Sequence, residues 1–121
     1  MRETLSHESL DVYKLARQFA VELYRDSARF PAQERFGLTS QIRRAAVSIP
    51  ANIAEGAGRR SKKEFTRSLL TARGSSSELR LLLEIAHEIG ILSTGRFREC
   101  QNTVDRISSM MSGLIRHLGA G

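Results

Sequence analysis

The chain has 121 residues, one cysteine and a formal net charge of +6, which suits one domain and excludes an internal disulfide bond. No apolar run approaches the roughly 20 residues that a membrane-spanning helix needs, and the polar first residues do not resemble a secretory signal. We therefore expect a single domain over residues 1–121 in a reducing cytoplasm, with no membrane partner.

Apolar residues at helical spacing predict the first two helices. The first is predicted over residues 9–29 and ends before Pro31, because the residue before a proline resists helical torsions. The second is predicted to begin at Thr39 or Ser40, where a hydroxyl would cap the first turn. Pro50 lies inside this helix and predicts a kink. The glycines predicted to end it are Gly56 and Gly58.

A capping box predicts the start of the third helix, because Glu64 lies three residues after Ser61. Gly90 is its expected C-terminal glycine. Four consecutive small residues lower the helix propensity of its middle. One interpretation is close packing against the second helix at Gly74 and Ser75. The other is a break, which would make five helices instead of four.

An uninterrupted heptad seam predicts the fourth helix, from Ser93 or Thr94 to about Leu118. The residues of this seam are Phe97, Cys100, Val104, Ile107, Met111, Leu114 and Leu118. Short connections imply that successive helices are antiparallel neighbours. We therefore predict an all-α, up-down-up-down four-helix bundle with a kinked second helix.

Two further surfaces stand out on these helices. A polar ridge at helical spacing on the second helix consists of Gln41, Arg44, Ser48, Asn52 and Glu55. Apolar residues outside the core stripes of the third and fourth helices are Leu70, Leu81, Leu82, Ile85, Ile89, Met110 and Ile115. An exposed apolar strip of this length indicates an interface. We expect a homo-oligomer with the ridge at or near a buried contact; the alternative is a compact bundle that buries these residues internally.

The positive charge is concentrated in the middle of the chain. Residues 34–73 carry nine basic and three acidic side chains, whereas the segments on either side are each neutral. Such a concentration attracts polyanions, and a helix N-terminus also favours phosphate. The predicted nucleic-acid-binding residues are Arg43, Arg59, Arg60, Lys62, Lys63 and Arg67. Because Phe65 is expected in the core, backbone recognition is favoured over base stacking. The alternative is a solvated loop whose charges only aid solubility.

No motif in the sequence predicts catalysis. Glu84 and His87 form one Glu-x-x-His pair, but a di-iron site in a bundle needs a second copy and further inward carboxylates. Cys100 lies on the heptad seam and is expected to be a buried thiol. The glycines before Arg59 lack the spacing of a nucleotide-binding loop. We therefore expect no metal site, no cofactor and no enzyme activity.

Three segments carry a resemblance to a known family: QIRRAAVSIPANIAEG at 41–56, GRRSKKEF at 58–65 and GSSSEL at 74–79. They resemble the 23S rRNA intervening-sequence proteins, and the similarity extends through LDVYKLARQFAVELY at 10–24. The fourth helix matches only by pattern. The resemblance implies a closed four-helix bundle, a ring-like homopentamer and a bacterial source, and most members have no established activity. At matching positions it implies that the ridge is the polar signature of the family, with a small-residue site at Gly74, Ser75 and Glu78.

A relative within this resemblance is the accessory variability protein of diversity-generating retroelements, which works with a reverse transcriptase. It implies a basic outer surface that binds nucleic acid, and a reverse transcriptase or another protein as a further partner. Residues and resemblance together predict a non-enzymatic oligomer that binds structured RNA or DNA. The alternative is an interaction scaffold that docks an acidic partner protein.

Overall fold

Four α-helices make up the chain. The computed structural model describes residues 7–120, in which α1 spans His7–Ser27, α2 spans Leu38–Ala57, α3 spans Lys62–Glu88 and α4 spans Thr94–Ala120. A 3-10 turn, Ala32–Glu34, lies between α1 and α2. No strand occurs among the described residues, so the prediction of an all-α four-helix bundle is confirmed.

Successive helices pack side by side, and α1 also packs against α4. Between α2 and α3, Ser48 contacts Ser75, while Gly56 lies against Ser68. Residue numbers therefore rise along α2 as they fall along α3, which is the order expected of antiparallel neighbours. The helix α2 is continuous through Pro50, and a bend at this residue stays a prediction.

The core lies between the four helices and is filled by one apolar stripe from each. Its largest fully buried side chains are Leu23, Ile42, Ile49, Ile53, Leu69, Leu79, Leu83, Ile107 and Met111. The central residues of the heptad seam of α4 are all buried, whereas Phe97 and Leu118 at its ends are partly buried against the core. Burial of these stripes supplies the main favourable term in folding.

The start of α2 differs from the prediction. The N-cap is Gly37, which makes no side-chain capping hydrogen bond, and the helix begins at Leu38. Both Leu38 and Thr39 are buried, so the hydroxyl of Thr39 lies inside the helix instead of capping it. The prediction of a Thr39 or Ser40 cap was wrong, because burial of the first turn sets where this helix begins.

The boundaries of α3 follow its sequence signals. The Oγ of Ser61 accepts a hydrogen bond of 3.0 Å from the backbone N–H of Glu64, as a capping serine does. Beyond the end of the helix, Gly90 has a φ of 85°, the left-handed conformation that glycine adopts without steric cost. Between these ends α3 is continuous, so the interpretation with a break and five helices was wrong.

The helices α2 and α3 are in close contact at Gly56, which belongs to the last turn of α2 and does not end it. A Cβ at this position would be 2.6 Å from the Cβ of Ser68 and 2.9 Å from Cδ1 of Phe65. A Cβ at Gly74 would have no atom within 4 Å. The prediction of close packing at Gly74 was therefore wrong, whereas Ser75 does meet α2.

Candidate nucleic-acid interface

Five cations cluster where α2 gives way to α3. We call Arg59, Arg60, Lys62, Lys63 and Arg67 the basic corner; all five are exposed. Arg59 donates from Nη2 to Oε2 of Glu55 over 3.0 Å, in an ion pair open to solvent. The other four side chains make no hydrogen bond or ion pair with any residue that the structure describes. Four cations without an ion-pair partner among the described residues are thus left at this end of the bundle.

The backbone of α3 adds to this positive field. The first turn of a helix carries free N–H groups and a partial positive charge, and acidic side chains are normally favoured there. Around the start of α3 the only acidic residue of the first turn is Glu64, beside Lys62 and Lys63. The stability of α3 therefore does not explain why cations occupy these positions.

The structure separates Arg43 from the basic corner, so we remove it from the predicted site. Its Nε donates to Oγ of Ser27 over 2.9 Å, and its Nη2 donates to the carbonyl oxygen of Tyr24 over 3.1 Å. The guanidinium also lies over the Tyr24 ring, 4.6 Å from its centre. Arg43 ties the start of α2 to the end of α1, whereas the basic corner follows the other end of this 20-residue helix, which is about 21 Å from Arg43 along the helix axis.

The polar ridge is only half-buried in the single chain. The Nδ2 of Asn52 donates to the carbonyl oxygen of Ser48 over 2.8 Å and to its Oγ over 3.1 Å. The same Oγ shares a hydrogen bond of 2.8 Å with Oγ of Ser75 on α3. The middle of the ridge therefore joins two helices of one chain, which is a structural role.

The outer residues of the ridge face solvent. Gln41 and Arg44 line a polar groove of about 350 Å³ between α2 and α3, together with Ser48, Ser75 and Glu78. Glu55, at the far end, pairs with Arg59. Within the described part of the chain the side chains of Gln41 and Arg44 have no hydrogen-bonding partner, so their place at a buried contact between copies stays a prediction.

The exposed apolar residues differ from those that the sequence indicated. Leu82 is buried, and Met110 and Ile115 pack partly buried against the core. The residues that remain exposed on α3 are Leu70, Leu81, Ile85 and Ile89. The residues missed are Val21, Tyr24 and Val47 on α1 and α2, which are also exposed. Tyr24 follows the apolar spacing of α1 but is exposed, because helical spacing alone does not separate the edge of a stripe from its centre.

A second charged cluster, around Arg96, is neutralised. Its Nε donates to Asp26 over 2.7 Å, and its two Nη atoms donate to Glu22 and Glu99, each over 3.1 Å. Partial burial opposes the charge on Arg96, but the hydrogen bonds to these carboxylates, that to Asp26 foremost, raise its pKa above the ordinary range. Arg96 therefore holds the start of α4 to the end of α1 and offers no charge to a ligand.

The remaining candidates for chemistry are used in packing. Burial raises the pKa of the Cys100 thiol to about 11, although the nearby charge of Arg96 acts in the opposite direction. The ring of His87 stacks on Phe97 with centres 4.4 Å apart, and its Nε2 shares a hydrogen bond of 3.0 Å with Thr94. Over the described residues, no three His, Cys, Asp or Glu side chains are grouped to hold a metal ion.

With this geometry established, the chain can be compared with known proteins. The model of the family described as 23S rRNA-intervening sequence protein matches residues 8–113. The chain belongs to this family. The resemblance carried by the α2 motif is thereby confirmed, and the 23S rRNA-intervening sequence match includes most of α4, where the sequence motif itself was weak.

A solved structure shows that the fold is shared. It is the crystal structure of a protein with unknown function from the S23 ribosomal protein family of Bacteroides thetaiotaomicron. The two structures align with a TM-score of 0.84 at 22% sequence identity, over 90% of this chain and 98% of the other. At this identity the likeness shows the fold alone. None of the curated proteins compared with the chain shows significant similarity to it.

Membership of the 23S rRNA-intervening sequence family leaves the activity open, since the structural neighbour is itself described as a protein with unknown function. None of the helices that the structure describes is both long and apolar enough to cross a lipid bilayer.

Proposed function

We propose that this 23S rRNA-intervening sequence protein is a non-catalytic, cytoplasmic homo-oligomer that binds structured RNA or DNA through phosphate contacts at the basic corner. One observation carries the proposal. Four exposed and unpaired cations, Arg60, Lys62, Lys63 and Arg67, surround a helix N-terminus that is already positive. A bound phosphate supplies negative charge at an end of α3 where these cations outnumber the single acidic residue of the first turn, Glu64.

The arrangement of the cations favours the backbone of a nucleic acid over a single small anion. Lys63 and Arg67 are four residues apart on α3, so they lie one turn apart on the same face. Arg60 and Lys62 precede them in the connection and the first turn. Charges spread in this way contact several phosphates, and each contact releases counterions and makes binding salt-dependent.

The absence of an aromatic platform at the basic corner favours recognition that does not depend on base sequence. Phe65 is the nearest aromatic residue in sequence, and it is buried against α2. The most exposed aromatic side chain among the described residues, Phe36, lies before α2, at the opposite end of that helix. Base stacking, which holds unpaired strands, therefore has no support here, and a double-stranded or folded nucleic acid is the proposed ligand.

Two charge-reversal variants test the proposal. The first replaces Arg60, Lys62 and Lys63 with Glu and keeps the Ser61 cap. The matched control replaces Arg29, Arg35 and Arg98 with Glu, three exposed cations at the other end of the bundle. Each variant changes the net charge from +6 to 0, since three replacements remove two units each. Binding of a labelled RNA hairpin and of a DNA duplex is then measured by fluorescence anisotropy over a range of salt concentrations.

We expect the corner variant to lose at least about tenfold in affinity near 0.1 M salt, with the slope of log affinity against log salt reduced by about three. The control should keep the slope of the unmodified protein. Equal losses in both variants would show that net charge alone attracts the nucleic acid, and would overturn the proposed site. If the unmodified protein binds a polyglutamate peptide but neither nucleic acid, the alternative of a scaffold for acidic proteins is correct.

A further inference from the structure

Two exposed apolar surfaces of this chain match in length and carry opposite charges, and we infer that they bind each other between two copies. The first is a groove between α1 and α2; the second is a ridge on α3. The inference rests on the proposed homo-oligomer and names its contact, which the proposal itself leaves open.

The α1–α2 groove has a volume of about 420 Å³. Its main lining residues are Tyr13, Val21, Tyr24, Val47, Pro50 and Ala54. Val21, Tyr24 and Val47 are between 43 and 45% exposed, although nothing in the fold of the single chain requires apolar side chains there. A concave apolar surface of this size is typical of a site that is covered by a partner.

The α3 ridge consists of Leu81, Ile85 and Ile89, which are between 39 and 54% exposed. Leu81 and Ile85 lie one turn apart on one face of α3, and Ile89, the residue directly after the helix, continues the spacing of four. The three extend over about 12 Å. The groove is lined by α1 from Tyr13 to Tyr24, which is about 16 Å of helix. The ridge therefore fits within the length of the groove.

Charges beside the two surfaces have opposite signs. Glu78 and Glu88 flank the ridge, about 15 Å apart along α3. Arg17 lines the groove. Lys14 and Arg25 follow the lining residues Tyr13 and Tyr24 in sequence and are about 16 Å apart along α1. All five are exposed, and none has an ion-pair or hydrogen-bonding partner in the part of the chain that is described. This match favours a second copy of the chain as the occupant of the groove over an unrelated protein.

The groove and the ridge are different surfaces, so we assign them a heterologous contact that repeats from copy to copy. Each copy places its ridge in the groove of the next and receives a ridge in its own groove. Such contacts form a ring when the rotation between copies closes. All copies then have the same orientation relative to the ring axis, so the basic corners lie at one level and contact one nucleic acid together. Several linked sites bind more tightly than one, without any new contact.

Two single variants and one control test the contact. Leu81→Glu disables the ridge, and Val47→Glu disables the groove. The control is Phe36→Glu, because Phe36 is 89% exposed and lies outside both surfaces. Molar masses are measured by light scattering at micromolar concentration, after circular dichroism has shown that each variant is helical. We expect Leu81→Glu and Val47→Glu to be monomers and Phe36→Glu to keep the mass of the unmodified protein.

A mixing experiment tests whether the ridge of one copy binds the groove of another. Val47→Glu retains an intact ridge and Leu81→Glu retains an intact groove, so an equimolar mixture should form a heterodimer with a single contact. A mixture that stays monomeric, or a variant that keeps the full mass, would overturn the inference. In the second case the proposed oligomer still stands, through another surface. An unmodified protein that is monomeric would refute the oligomer in the proposed function.

Exchange of charges gives a second test without substitutions in the apolar surfaces. Glu78→Lys combined with Glu88→Lys should weaken self-association, as should Lys14→Glu combined with Arg25→Glu. When the two double variants are mixed, the ridge that now carries lysines meets the groove that now carries glutamates. Association should be restored at this contact. If mixing restores none, the assigned charge contacts are wrong.

Discussion

At Gly56 the backbone of α2 comes so close to α3 that one added methyl group would collide with Ser68 and Phe65. Phe65 belongs to the core and Ser68 contributes its own Cβ, so neither contact is with the far end of a flexible chain. The only relief is a shift of the two helices. A substitution at this position therefore tests the packing between them.

We predict that Gly56→Ala destabilises the protein by about 1–3 kcal/mol, the usual range for overpacking in a well-packed interior. Gly74→Ala is the matched control, because the new methyl group meets no atom within 4 Å. It should stabilise the protein by about 0.5–1 kcal/mol, since alanine is the better helix former. Urea unfolding at one protein concentration measures both. Similar effects of the two substitutions would contradict the close approach at Gly56.

Cys100 links burial to pH dependence. Burial raises the thiol pKa from its ordinary value of 9.0 to about 11, so the folded protein holds this proton more tightly than the unfolded chain does. The corresponding contribution to stability is complete below pH 9 and is lost as the pH rises from about 9 to about 11.

We predict that the folded protein reacts with iodoacetamide far more slowly than the denatured chain at pH 8, because both the thiolate and access to it are suppressed. The stability of Cys100→Ala should fall less between pH 9 and pH 11 than that of the unmodified protein, measured by urea unfolding. The comparison between the two proteins removes the effect of other groups that titrate there. Rapid labelling of the folded protein would refute the buried thiol.

Within single helices, the start of α3 is set by a side chain and the start of α2 is not. Ser61 accepts the backbone N–H of Glu64, whereas Ser40, in the first turns of α2, makes no side-chain hydrogen bond with any described residue. We predict that Ser61→Ala costs about 1 kcal/mol of stability and that Ser40→Ala has little effect. Thermal unfolding of both variants checks this. A larger loss for Ser40→Ala would restore the hydroxyl cap of α2 that the sequence suggested.

The four helices were predictable because each carries a periodic apolar stripe, and a period is a property of one segment alone. The seam of α4 was found in this way. The cap at Ser61 and the terminal glycine Gly90 were found from local signals at the helix ends, which are also properties of one segment. The close approach at Gly56 was not, because two glycines near a helix end are equally compatible with termination. Gly56 is identified as the glycine at the helix contact only by the side chains of α3 that lie against it.

Across the whole bundle, the positive middle of the chain is divided between two ends. Arg35 and Arg43 lie at the start of α2, and the basic corner lies beyond its end. The field that would attract a nucleic acid therefore comes from a shorter segment than the charge count suggests. Ion pairing reduces it further, since Arg59 has Glu55 as a partner. The proposed site accordingly rests on four cations.

The resemblance of three sequence segments was sufficient for the family. Composition and spacing were sufficient for the four helices and for the excess of cations near the start of α3, because these depend on residue types along one stretch of chain. They did not show that Arg43 is bound to α1, that Tyr24 is exposed, or that Leu82 is buried. Those outcomes depend on which helix lies beside which, and at what distance. Contacts between residues far apart in sequence set them, and helical periodicity carries no information about such contacts.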